Sequence, residues 1–211
     1  MVNMFRLLAV LLWLNWSASG RGKPGEFDYY VLSLSWSPEF CASPAGKGDK
    51  LQCGTGRRFG FVVHGLWPQY ERGYPQSCST EPGPDKELTE KMLAIMPSPK
   101  LILHEWEKHG TCSGLNAAKY FGAVEKARRD VQVPAEFQSP DQTISIEPAK
   151  LKKKFLETNK DWSAKSAALL CGGRYLRELR VCLTKDLKAR DCGVDVRDAC
   201  KAAKVTLRPV R

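Results

Sequence analysis

The sequence has no C-x-x-C pair; its closest cysteines are Cys182, Cys192 and Cys200. Zinc-ribbon and thioredoxin-type sites therefore lack their signature. Histidine is scarce, with three residues in the whole chain. No apolar run after the first twenty residues approaches the length of a bilayer span. No N-x-[ST] sequon follows that segment either, in keeping with a bacterial periplasmic or secreted origin. Repeats and linkers are missing, and 211 residues with 43% apolar content fit one compact domain with a sizeable core.

What is present begins with MVNMFRLLAVLLWLNWSASG: Arg6, an apolar run from Leu7 to Trp13, then Ser17, Ala18, Ser19 and Gly20. This pattern predicts a secretory signal peptide over residues 1–20, cut near Ser19 or Gly20. The domain would then span 21–211 and be secreted or periplasmic, with no membrane attachment once the leader is gone. Eight cysteines follow the leader: Cys41, Cys53, Cys78, Cys112, Cys171, Cys182, Cys192 and Cys200. An even number in an exported chain predicts four disulfides, each worth roughly 2–4 kcal/mol. Spacing alone leaves about 105 connectivities open. The formal charge of +10 points to a polyanionic partner without choosing among RNA, DNA and a membrane surface.

Local patterning predicts a half-buried strand over 28–36, with Leu32, Leu34 and Trp36 on one face and Val31, Ser33 and Ser35 on the other. A loop from Pro38 to Arg58 should lead to a second strand, FGFVVHG, ending at His64. Gln69 to Pro84 reads as loop and Lys86 to Met96 as helix. A further helix should start at Lys100 and end at Gly110 as its C′ residue. Tyr120 to Asp130 and Pro148 to Thr158 read as helices, Arg174 to Thr184 as a strand, and VTLRPV as a short final strand. The fold class expected is α+β, with helices packed on a mostly antiparallel sheet. The run KLKKKF reads as a solvated helix face.

The chemistry concentrates in LHEWEKHGTC, which ends at Cys112. A zinc box, a general acid/base site and a plain charged helix end all use such residues. On a helix, Glu105 and His109 are four apart, as are His104 and Lys108, so the four side chains occupy neighbouring stripes. His104 and His109 are five apart and about 140° out of register, which fits zinc poorly. The third histidine, His64, stands in HGLWP, where Gly65 permits close backbone approach and Trp67 offers a flat face for a base. Tyr70 and Tyr74 are weaker platforms.

Cleaving RNA requires removal of the ribose 2′-hydroxyl proton, protonation of the departing 5′-oxygen and stabilisation of charge on phosphorus. Two imidazoles and one cation supply this, and DNA cannot react because it lacks the nucleophile.

FVVHGLWP and HEWEKHGTC, in that order, together with the strand DYYVLSLSWSPEFC and the C-terminal cysteines, resemble the ribonuclease T-two family of secreted, acid, transferase-type endoribonucleases. MPSPK before the second segment resembles bacterial members. The resemblance implies cleavage of single-stranded RNA with little base specificity, without a cofactor or metal, through 2′,3′-cyclic phosphates to 3′-phosphates. It implies His109 as general base and His64 as general acid, with the roles exchanged in the second step. Glu105 and Lys108 would stabilise the pentacoordinate phosphate, and His104 would hold phosphate. The implied bridges are Cys41–Cys53, Cys78–Cys112, Cys171–Cys200 and Cys182–Cys192. Where many members carry glutamine this chain has Ser35, and where some fungal members carry an acid it has Gln69, so base preference does not transfer. The default assembly is a monomer with RNA as its partner. A basic exported protein that binds RNA without cleaving it, and a zinc hydrolase, are the competing readings.

Overall fold

The computed structural model describes residues 22–211; the leader expected over 1–20 lies outside the described residues. Strand β1 (Tyr29–Trp36) carries Tyr30, Leu32, Leu34 and Trp36 into the main core, while Tyr29 and Val31 join a smaller cluster on the opposite face. That two-residue alternation follows from the pleat. β1 pairs antiparallel with β2 (Phe61–Gln69) on one side and with β5 (Tyr175–Leu183) on the other. β4 (Ala167–Gly172) pairs antiparallel with β5, and β6 (Val205–Leu207) and β3 (Ile144–Ile146) complete the sheet. The fold is α+β, and the sheet is antiparallel except where β6 meets β5.

Helices α4 (Pro99–Lys108), α5 (Ala117–Asp130) and α6 (Pro148–Thr158) cover one face of the sheet. α4 begins where Ser98 accepts a hydrogen bond from the Leu101 N–H at 3.3 Å and Pro99 fills the first helical position. Ile102 and Trp106, one turn apart, are its buried anchors. Each buried side chain of this kind contributes about 1.5–3 kcal/mol, so rotating α4 would lose both. That constraint sets the flank carrying Glu105 and His109 against β2.

Eight cysteines form four disulfides among the described residues: Cys41–Cys53, Cys78–Cys112, Cys171–Cys200 and Cys182–Cys192. The second ties the 77–84 loop to the turn after α4, and the Ser77 N–H donates to the Lys108 carbonyl at 2.8 Å alongside it.

Several elements differ from the expectation. The expected loop at 38–58 contains two short helices, α1 (Ser37–Cys41) and α2 (Lys50–Cys53), joined by a disulfide. α3 (Lys86–Met92) stops four residues early. β3 and β4 were not expected, since the first is three residues long and the second, AALLCG, lacks alternation. β2 does not end at His64 but runs to Gln69. Pro68 is compatible with it because β2 is an edge strand of the sheet. His109 is the C-cap of α4, which puts Gly110 at C′ as expected, yet Gly110 is not left-handed. A Cβ there would lie 2.5 Å from the Trp106 ring, so close packing is what requires glycine.

Candidate active site

The site forms where β1, β2 and β5 turn their second face toward the end of α4. Across β1 and β2, Ser33 pairs with Gly65 and Leu34 with Val63, which leaves His64 as the extra residue of a bulge. A bulge re-aims one side chain and shifts the pairing register by one residue across it. The His64 imidazole Nδ1 lies 2.9 Å from Glu178 Oε1 on β5. Arg180, two residues on and on the same face, donates to Glu178 Oε2 through Nε at 2.9 Å and through its terminal nitrogen at 2.8 Å. On its other side, His64 Nε2 stands 3.7 Å from Glu105 Oε1.

Glu105 is 2% exposed. Its Oε2 accepts a hydrogen bond from the Trp67 indole N–H at 2.6 Å. This contact passes directly over Gly65, where an added Cβ would fall 2.0 Å from Oε2 and 2.3 Å from the indole nitrogen. Glycine is therefore a steric requirement at this position.

His109, at the end of α4, has Trp67 and Tyr74 against its ring, with centroids 5.4 and 5.9 Å away. Its Nδ1 is buried without a hydrogen-bond partner among the described residues. Nε2 is thus the nitrogen left to exchange a proton with a ligand. The turn after His109 is pinned by the Cys78–Cys112 disulfide. Lys108 is half-buried and His104 exposed on adjoining stripes of the helix.

The environments of the two imidazoles push them in opposite directions. Burial pushes His109 down to about 3, assisted by the positive charges of Lys108, His104 and His64. At His64 burial pulls the same way. The Glu178 hydrogen bond and the negative charges of Glu105 and Glu178 outweigh it, and the imidazole is raised above its ordinary value. Burial pushes Glu178 up as well, but the bonds and charges of His64 and Arg180 prevail and hold it at about 2. Glu105 is raised, because burial outweighs the charge of His64, the Trp67 hydrogen bond and the charges of His104 and Lys108. Burial thus favours the neutral form of one imidazole, and the carboxylates favour the protonated form of the other.

Of the residues predicted from sequence, His64, Trp67, Glu105 and His109 form one contact network, with Lys108 and His104 adding positive charge beside it. Trp67 is tied into this network by its neighbours. Its indole N–H is committed to Glu105, and its ring has His109 on one contact and the Arg180 guanidinium 5.0 Å away on another. Tyr74, half exposed, is the more open aromatic at the site. The KLKKKF lysines belong elsewhere: Lys150, Lys152, Lys153 and Lys154 each pair with a carboxylate. Glu178 and Arg180 were missed, although the i, i+2 spacing within RELR places both on one face of a strand. Among the described residues, no three His, Cys, Asp or Glu side chains group as metal ligands would.

Comparisons with known proteins find ribonucleases. A ribonuclease of Aeromonas hydrophila is 38% identical over 190 residues, covering 85% of this chain and 83% of its own. Ribonuclease I of Escherichia coli is 25% identical over 210 residues, covering 77% of each. Among solved structures, an RNase-related protein from Calystegia sepium superposes with a TM-score of 0.71 at 21% identity, over 88% of this chain and 99% of that one. RNase NT, solved in complex with 5′-AMP, gives 0.68 at 24% identity over 87% and 99%. The sequence profile of the Ribonuclease T2 family matches residues 27–192, a span that holds all of the site residues above. The chain belongs to the Ribonuclease T2 family and is an endoribonuclease of that type.

Proposed function

We propose that the protein cleaves single-stranded RNA with little base preference, in two metal-independent steps. In the first, neutral His109 takes the proton of a ribose 2′-hydroxyl through Nε2 and the 2′-oxygen attacks phosphorus. The bond from phosphorus to the 5′-oxygen breaks, and protonated His64 gives that oxygen its Nε2 proton. The products are a 2′,3′-cyclic phosphate and a free 5′-hydroxyl. In the second step the roles reverse: His64, now neutral, takes a proton from water, water opens the ring, and His109 protonates the departing 2′-oxygen to leave a 3′-phosphate.

The observation that carries this reading is the opposed environment of the two histidines, one dry and among cations, the other wedged between carboxylates. Lys108 would offset the charge that develops on the phosphorane, and His104 would hold a phosphate oxygen. Burial pushes Glu105 upward, the direction that eases the repulsion between its carboxylate and the phosphorane. Glu178 fixes the His64 tautomer, with Nδ1–H on the carboxylate and Nε2 toward the substrate.

This activity would reside in residues 21–211, acting as an exported monomer after removal of the 1–20 leader. The test is cleavage, in EDTA, of one RNA and its all-deoxy counterpart by the protein and by its His64→Ala and His109→Ala variants. Cyclic and 3′-phosphate termini should come from RNA alone and be lost in both variants. Cleavage of DNA, or activity surviving both substitutions, would overturn it.

A further inference from the structure

Next to the site lies a cavity of ≈ 280 Å³ lined by His64, Glu178, Ser35, Glu39 and Arg177. Beyond it is a larger one of ≈ 540 Å³, into which Arg57, Arg174, Arg208 and Arg211 all face together with Tyr175, and whose lining contains no acidic residue. The two meet at one ion pair: Glu39 lines the first, and its carboxylate accepts from Arg208 Nε of the second at 2.5 Å. Arg208 also lies over the Tyr175 ring at 4.1 Å, and Arg174 donates to the Tyr175 hydroxyl at 3.1 Å. Glu39 thus answers Arg208, whereas among the described residues no carboxylate pairs with Arg57 or Arg174. Cations that outnumber their counter-charges in a concave site raise the local potential for a polyanion.

We infer that this arginine cavity is a second RNA-binding site, holding backbone phosphates of the strand on the 3′ side of the cleaved bond. The direction rests on the proposed role of His64. An acid that protonates the departing 5′-oxygen stands on the side of the leaving nucleotide, so the strand continuing 3′ leaves past His64 and enters its adjoining cavity. Tyr175 lies three residues along β5 from Glu178, roughly 10 Å at the strand's rise per residue, a span that a few nucleotides of single strand cover. Guanidinium groups suit the task because each offers a planar pair of donors to a phosphate. The contact is to the backbone, so it favours length over sequence, in keeping with low base preference.

The test uses Arg57→Glu/Arg174→Glu, two exposed residues outside the catalytic network. Kinetics are compared on a dinucleotide and on the same dinucleotide extended at its 3′ or its 5′ end. A 3′ extension should lower KM by roughly tenfold or more, one charge-assisted contact or better. The variant should lose that gain while keeping the parent's kcat on the dinucleotide. A gain from 5′ extension alone, or a 3′ gain that survives in the variant, would overturn the proposal. Binding of an all-deoxy strand, which needs no catalysis, keeps this site separable from the cleavage mechanism. Two lost phosphate contacts should flatten the dependence of log K on log salt by about 1.4, at about 0.7 per contact for single strands. An unchanged slope would also count against it. Failure of dinucleotide cleavage with a flattened slope would refute the mechanism and leave the binding site standing.

Discussion

Glu178→Gln tests the part of the site that the active-site motifs do not contain. The substitution keeps an oxygen 2.9 Å from His64 Nδ1 but removes the charge that helps raise the imidazole. A hydrogen bond between charged groups is worth about 1.5–3 kcal/mol. The His64 side chain is 36% exposed, so the lower end of that range applies. About 1.4 kcal/mol is a factor of ten, and kcat near pH 7 should fall roughly tenfold. The sign of the pH effect follows from the acid's role. His64 works protonated, and Glu178 favours that form, so the alkaline limb of the kcat profile should move to lower pH in the variant. The acid limb, set by His109, should stay in place. Initial rates on a short RNA across pH 4–9 measure both limbs. A variant that loses activity equally at all pH values, or whose acid limb moves instead, would refute the reasoning. Arg180→Gln should move that limb the other way, by less, because the guanidinium charge lowers His64.

Gly65→Ala should abolish most activity, since the new methyl falls where the Trp67–Glu105 contact passes; kcat and a thermal melt on the same sample separate lost chemistry from lost fold. Replacing Cys78 and Cys112 together with Ser should cost about 2–4 kcal/mol in denaturant unfolding and lower kcat beyond that, because the bridge anchors the turn after His109. Glu178 sits at about 2 when folded against an ordinary 4.5, so its contribution to stability is complete above 4.5 and lost as pH falls toward 2. Glu178→Gln should therefore flatten stability against pH across that interval, read from urea midpoints.

Alternation in DYYVLSLSW made β1 and its two faces legible, and the Pro and Gly punctuation placed α4 to within a residue. The even cysteine number made four disulfides legible, while their pairing came only through resemblance. β2 was cut short because a bulge breaks period two at His64 and Pro68 looks like a stop; neither edge position nor bulge is visible in one strand's sequence. The grouping of His104, Glu105, Lys108 and His109 followed from helical spacing. What depends on distant pairing was not legible: Ser35 meeting Glu178 across β1 and β5 brings a carboxylate to His64 from 114 residues away. The contacts of Trp67 were not legible for the same reason, since its partners Glu105 and Arg180 come from other elements.

The opposed shifts of the two histidines can be measured directly by following their imidazole resonances in a pH titration, each assigned by its His→Ala variant. His64 should titrate above its ordinary 6.5, while His109 should stay neutral down to about 3. Two histidines titrating together near 6.5, or His109 protonating before His64 as pH falls, would contradict it.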